Sequence, residues 1–131
     1  MTTTATPFLM FEGRAEEALT FYCETVPGSR IIDLQRYDAK GPGKEGSVSM
    51  ARAEIAGLKV MAFDSPVHHA FTFTPALSLF VDCASEVEQE RLVATLGEGG
   101  GTLMPLDNYG FSRRFAWVND RFGVSWQINL P

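Results

Sequence analysis

The only two histidines of the chain, His68 and His69, stand side by side in SPVHHAFTF (65–73). Three roles are open to such a pair: ligating a metal, exchanging protons near neutral pH, or lining a pocket. A zinc site needs three or four ligands, and Asp64 is the one obvious carboxylate nearby in sequence. In an extended stretch, adjacent side chains point to opposite sides, so both imidazoles would not reach one ion. A structural or ligand-lining role is the expected one, with His68 and His69 kept as catalytic candidates.

A second group is NYGFSRRFAW (108–117), which gathers Tyr109, Phe111, Arg113, Arg114, Phe115 and Trp117. Aromatic walls with a guanidinium suit an aromatic or anionic small ligand, because arginine grips carboxylate or phosphate bidentately and the rings supply apolar area. The competing reading puts Phe115 and Trp117 in the core and the arginines in solvent. Other patterns carry less chemistry. Ser47, Ser49 and Ser112 sit in no GxSxG elbow, and no carboxylate pair is spaced to mark an acid and a base. GEGGG (97–101) follows a helix, where a dinucleotide fingerprint needs its glycines between a strand and a helix. AKGPGKEG (39–46) is followed by no helix start that would present N–H groups to a phosphate, so it reads as a flexible loop and a possible lid.

These residues must be held by elements, and the spacing predicts which. PFLMF (7–11) is a short buried strand, and RAEEALTFY (14–22) a helix with Glu16 and Glu17 in its first turn. Pro27-Gly28 ends that helix. RIIDLQRY (30–37), SVSMARAEI (47–55) and LKVMAFD (58–64) are strands, the last two joined as a hairpin through Ala56-Gly57. The order then repeats. ALSLFVDC (76–83) is a strand, SEVEQERLVATL (85–96) a helix with Ser85 and Glu88 at capping-box spacing, and TLM (102–104), RRFAWVN (113–119) and VSWQINL (124–130) are strands. PLDNYGFS (105–112) reads as the loop between the first two of these. The fold class is α+β: two βαβββ modules, about 6–64 and 76–131, joined by a loop at 65–75 within one domain. Each module is a curved mixed sheet with its helix on the convex side, leaving a half-barrel that can hold a small ligand. Alternation puts Val124, Trp126 and Ile128 under the helix and Ser125, Gln127 and Asn129 on the concave face, with Lys59, Met61, Phe63, Ala76, Ser78 and Phe80 beside them.

Composition limits the partners. A chain of 131 residues with 45% hydrophobic and 21% charged residues is that of an ordinary globular domain. A net charge of −5 is the wrong sign for gripping a phosphate backbone, so no nucleic-acid partner is expected. No apolar run approaches the roughly 20 residues that span a bilayer, and MTTTATP lacks the basic and apolar regions of a leader. No membrane partner and a cytoplasmic home are expected. Cys23 and Cys83 form no CxxC and read as buried, reduced thiols.

FEGRAEEALTFY (11–22), PGSRI (27–31), DSPVHHAFTFTPALSLFVDC (64–83) and YGFSRRFAWVNDRFGVSWQINLP (109–131) together resemble the PhnB-like family of the vicinal oxygen chelate superfamily, which includes glyoxalases, bleomycin-resistance proteins and dioxygenases. Some members carry the label 3-demethylubiquinone-9 3-methyltransferase, to which the sequence adds no strand-to-helix glycine turn of the usual methyltransferase kind. The resemblance implies a homodimer. It also implies, for metal-dependent relatives, four ligands at positions that fall here on Pro7, Met61, Ala76 and Gln127, of which only Gln127 could ligate. The expected function is therefore metal-independent binding of a small molecule, without a cofactor, by residues including Phe63, Ser78, Tyr109, Arg113 and Gln127. The alternative is an isomerase, lyase or transferase of the same superfamily, acting on a small carbonyl, phenolic or phosphonate-like compound through His68 or His69. Purified protein is expected to carry no stoichiometric metal, and zinc, nickel, manganese or iron(II) to leave its unfolding midpoint unmoved. A bound metal or a clear metal-dependent rise would overturn that expectation.

Overall fold

The chain adopts the alternation its sequence predicts. The computed structural model describes residues 1–131 and runs β1 (Phe8–Phe11), α1 (Ala15–Thr25), β2 (Arg30–Arg36), β3 (Val48–Ile55), β4 (Leu58–Asp64), β5 (Ser78–Asp82), α2 (Glu86–Gly97), β6 (Gly101–Asp107), β7 (Arg114–Asn119) and β8 (Ser125–Leu130). Two four-stranded mixed sheets result, ordered β1-β4-β3-β2 and β5-β8-β7-β6. In each, the strand before the helix pairs in parallel with the last strand of its module, and the other pairs are antiparallel. The α+β class and the two βαβββ modules are thus as expected. The chain divides into two compact units, Met1–Ala70 and Phe71–Pro131, parted inside the intermodule segment. No helix is long and apolar enough to cross a membrane.

In the first unit, α1 buries Ala15, Ala18, Leu19 and Tyr22. Leu9, Phe11, Ala51, Ala53, Val60 and Ala62 of the sheet are buried with them. The alanines are register neighbours, Ala51 opposite Ala62 and Ala53 opposite Val60, and their small side chains make room for the larger Leu19 and Tyr22. Each large side chain so buried contributes about 1.5–3 kcal/mol. In the second unit, Leu92 and Leu96 of α2 are buried along with Leu79, Val81, Val118, Trp126 and Ile128. Gln89 is fully buried beside them, donating from Nε2 to the carbonyls of Arg114 (3.0 Å) and Ile128 (3.1 Å).

The two helices are capped by different means. Ser85 Oγ accepts from the N–H of Glu88 at 3.2 Å, the local cap that the sequence predicts. Arg14, at the start of α1, makes no side-chain cap. Asp64 takes its place from the far end of β4. This buried carboxylate, 3% exposed, accepts from the N–H groups of Gly13 (2.8 Å) and Ala15 (3.0 Å) through Oδ1 and from that of Val48 (2.9 Å) through Oδ2. Its backbone carbonyl accepts the Tyr37 hydroxyl at 3.0 Å. One residue therefore ties together the β1–α1 turn, the start of β3 and the end of β2.

Several boundaries differ from the sequence reading, each for a local reason. β6 continues through Pro105 to Asp107 where a loop was expected. It is an edge strand with register shifts after Thr102 and Met104, and an edge tolerates a residue with no N–H. β5 starts at Ser78, so Ala76 lies before the strand, in a turn where its N–H meets Thr74 Oγ1. Pro7 also lies outside its strand, offering only its carbonyl to the N–H of Met61 at 2.9 Å. Cys23 is half-buried and only Cys83 is buried. The glycine-rich loop is laid against the Tyr37 ring, which stands within 2.4–2.7 Å of where a Cβ on Gly43 would be. It is pinned there by the Gly46 N–H on the Tyr37 carbonyl, which argues against a free lid. GEGGG has a packing reason too, because a Cβ on Gly100 would fall 1.9 Å from the Asn119 carbonyl oxygen.

Replacing Asp64 with alanine strands three backbone donors and is expected to lower stability by about 3 kcal/mol, read from urea unfolding. An unchanged midpoint would mean that water replaces the carboxylate without loss.

Candidate functional site

Each helix covers one face of its sheet, and the other face carries the residues with binding chemistry. In the first unit that open face holds Phe8, Met10, Met50, Arg52, Met61 and Phe63. Met10 stands opposite Phe63, and Met61 lies between Phe8 and Arg52. The Phe8 and Phe63 rings stack with centroids 4.8 Å apart and planes at 22°. Toward the edge, Arg52 lies 3.7 Å from Asp33, and a groove of about 260 Å³ runs beside Ile32, Arg52, Lys59 and Met61. This face is apolar, rich in flexible thioethers, and rimmed by charge.

The open face of the second unit is built differently. Register sets Ser78 beside Ser125, Phe80 beside Gln127 and Asp82 beside Asn129, with Trp117 next to Gln127 and Phe115 next to Asn129. Polar side chains bridge the strands. Gln127 Nε2 donates to Ser78 Oγ at 2.8 Å, Asn129 Nδ2 to Asp82 Oδ1 at 2.9 Å, and Trp117 Nε1 to the buried Ser125 Oγ at 2.7 Å. Over them lies an aromatic cluster. Phe115 meets Phe111 edge-on at 4.9 Å, Tyr109 edge-on at 6.1 Å and Phe80 at 6.3 Å. Phe80 and Phe111 are more than half exposed. The Tyr109 hydroxyl donates to the Pro105 carbonyl, which holds the β6–β7 loop beside the face. Two acceptors there, Asn119 Oδ1 and Asn129 Oδ1, are buried without a partner, a state that costs about 1–3 kcal/mol each.

The five residues expected to bind ligand therefore part company. Ser78, Gln127 and Tyr109 lie on or beside the second unit's open face, and Phe63 on that of the first. Arg113 is exposed and enters no ion pair. Its neighbour Arg114 is a strut on the helix side. Its guanidinium lies 2.8 Å from Glu86 and 3.1 Å from Glu90 of α2, and these carboxylates raise its pKa.

The histidines belong to a different cluster. His68 Nδ1 lies 2.7 Å from Glu12 Oε1, and Glu12 Oε2 accepts the His69 N–H at 3.2 Å. His69 Nε2 is 2.9 Å from Ser65 Oγ. The local carboxylate that the sequence nominates, Asp64, is committed to backbone N–H groups, and the partner is Glu12, 56 residues from His68. The hydrogen bond from His68 holds the Glu12 carboxyl below its ordinary pKa. The two imidazoles take different partners, and the His68 side chain is 87% exposed. A cleft of about 510 Å³ lies alongside, between Glu12, Lys44, Glu45 and Pro66.

A divalent metal does not fit the positions that the resemblance points to. Pro7 and Ala76 lie off the strands, their nearest open-face neighbours are Phe8 and Ser78, Met61 offers a thioether, and the Gln127 amide oxygen is one ligand where three or four are needed. No three His, Cys, Asp or Glu side chains gather anywhere in a way that could hold an ion. The thiols are also poor nucleophiles, since burial pushes Cys83 up to about 11 and raises Cys23.

Sequence reasoning passed over Glu12, Phe8 and the Trp117–Ser125 bond, while Phe115, open there to an aromatic-wall or a core role, is 2% exposed and packs against the Phe111 and Tyr109 rings. Phe8 was within reach, because it alternates with Met10 on the same strand. Glu12 was not, because its partner lies across a fold that no local pattern records.

The sequence family described as 3-demethylubiquinone-9 3-methyltransferase matches residues 3–129. A PhnB protein of Bacillus cereus, whose structure is solved, is 49% identical, with a TM-score of 0.94 over 98% of this chain and 100% of that one. Protein YjdN of Escherichia coli is 21% identical over 95% of this chain and 92% of its own length. A glyoxylase/bleomycin resistance protein/dioxygenase domain from Frankia shares the fold, with a TM-score of 0.65 at 14% identity, covering 99% of this chain and 98% of that one. With the module topology described above, these matches mean that the chain belongs to the PhnB-like family, described as 3-demethylubiquinone-9 3-methyltransferase, and shares the fold of the glyoxylase/bleomycin resistance protein/dioxygenase domain.

Proposed function

We propose that the chain is a metal-independent small-molecule binding protein whose ligand lies on the open face of the second unit. The observation that carries this reading is the face itself: exposed rings of Phe80 and Phe111 beside Phe115 and Trp117, with Ser78, Gln127 and Asn129 held in place by one another and by their neighbours. Apolar area with a few oriented amides and hydroxyls is what small-ligand recognition needs. The side chains at the superfamily's metal positions support the same reading, and no nucleophile–base pair stands on this face to turn binding into catalysis. The homodimer implied by the resemblance is part of the proposal, with Phe63 and its Met-rich face as a further binding surface.

A second reading rests on Glu12. A carboxylate 2.7 Å from one imidazole nitrogen orients the ring and leaves its other nitrogen to exchange a proton, so His68 is the better placed of the two histidines to act as a base. Alanine at both His68 and His69 should abolish turnover of an identified substrate on that reading. Unchanged turnover would remove it.

For binding, thermal unfolding and tryptophan emission are to be followed with p-cresol, acetophenone and methylphosphonate. At least one should raise the midpoint in proportion to its concentration and alter emission, since only Trp117 of the two tryptophans is accessible. Phe80→Ala should weaken that ligand tenfold or more. If no compound moves either signal, the binding reading fails.

A further inference from the structure

On the proposed binding reading, we infer that the ligand of the second unit's open face is an aromatic compound bearing an N–H or O–H donor, best of all a protonated amine, and is not an anion. The basis is how this face spends its hydrogen-bonding groups. Most of its nitrogen donors and one phenol are used at home, Trp117 Nε1 on Ser125, the Tyr109 hydroxyl on Pro105, Gln127 Nε2 on Ser78 and Asn129 Nδ2 on Asp82, while the Ser78 and Ser125 hydroxyls that accept two of these bonds keep a proton to give. Its acceptors are left over. Turning their amide nitrogens to Ser78 and Asp82 presents the carbonyl oxygens of Gln127 and Asn129 with no protein partner.

Asn129 is the sharpest case. Its side chain is on the open face, the residue is only 8% exposed, and Oδ1 has no hydrogen-bond partner. Native proteins rarely leave such an atom unmet, so it marks a place where a donor belongs. Asn119, two residues along β7 from Trp117 on the same face, also has a buried, unmet Oδ1, but its amide nitrogen is unmet as well, so it offers a donor and an acceptor alike.

Charge points the same way. The open-face strand positions carry Asp82 and Asp107 and no Lys or Arg, Arg114 being tied to α2 on the opposite side. A carboxylate or phosphonate would lose its water and meet acceptors and like charge. An ammonium would meet the Asp82 carboxylate and the exposed Phe80 ring two residues away, whose π face attracts a cation. A neutral phenol satisfies the amide acceptors and forgoes the charge. Arg113, which favours an anion in a reading from sequence, is one exposed residue outside these strand positions.

The test is calorimetric titration of the full chain at fixed ionic strength with three small monocyclic aromatic compounds that differ in charge: phenethylammonium, p-cresol and 3-phenylpropionate. Phenethylammonium should bind tightest, p-cresol next, and 3-phenylpropionate at least tenfold more weakly than p-cresol. Gln127→Glu, which replaces the donor toward Ser78 by a carboxylate oxygen that the Ser78 hydroxyl can donate to and adds a charge, should tighten phenethylammonium several-fold and weaken 3-phenylpropionate further. If 3-phenylpropionate binds as well as p-cresol, or if Gln127→Glu leaves all three affinities unchanged, the donor inference is overturned while small-molecule binding as such stands. If none of the three binds, and acetophenone and methylphosphonate are also silent, the binding reading falls and takes this inference with it.

Discussion

The first unit hangs on a carboxylate that reaches across it. Asp64 closes β4, yet its two oxygens satisfy N–H groups at the β1–α1 turn and at the head of β3, and its carbonyl receives the hydroxyl of Tyr37 from the end of β2. The N-terminus of a helix presents unpaired donors and a partial positive charge, so a buried anion is well placed there. The consequences reach the surface. The turn that starts α1 also carries Glu12, which positions His68, and Tyr37 carries the glycine-rich loop on its ring.

The second unit caps its helix without a distant carboxylate. Ser85 caps α2 within its own turn, and Gln89 fastens the helix to carbonyls of β7 and β8. A buried aspartate, Asp120, also works here, accepting the N–H groups of Phe122 and Val124 and the indole N–H of Trp126. These bonds tie the β7–β8 turn to the strand after it. With the helix held from its own side by Ser85, Gln89 and the Arg114 ion pairs, the opposite face of the sheet is free to vary, and it carries Ser, Asn and Gln where the first unit carries Met and Phe. The repeated topology therefore supports two chemically unlike surfaces.

What could be read from the sequence follows from the range of the interactions. Period-two alternation gave the open-face assignment of Ser78, Phe80, Gln127 and Asn129, and a serine followed three residues later by a glutamate gave the start of α2. The type of turn at Ala56-Gly57 was equally local, and both residues take the left-handed conformation that such a hairpin needs. Contacts between distant residues were not legible. Nothing local to Asp64 says that it caps a helix starting 49 residues earlier, so a carboxylate beside two histidines looked available for them. Arg113 and Arg114 looked equivalent in sequence, and only the position of α2 separates the paired one from the exposed one. Pro105 looked like the end of a strand because the exemption of an edge strand depends on which strands pair.

The two capping arrangements also imply an order of events. Helix α2 is capped within its own chain segment, so its start is stabilised as soon as that turn forms, at a small cost in loop closure. Helix α1 has no cap until β4 arrives, because Asp64 lies 49 residues beyond the N–H it satisfies. On a ribosome, most of the first unit must emerge before its first helix is secured, whereas α2 needs only its own residues. Contacts this distant in sequence form late, and late contacts act more on the rate of unfolding than on the rate of folding. The carboxylate that organises the first unit thus works less as a nucleus than as a latch.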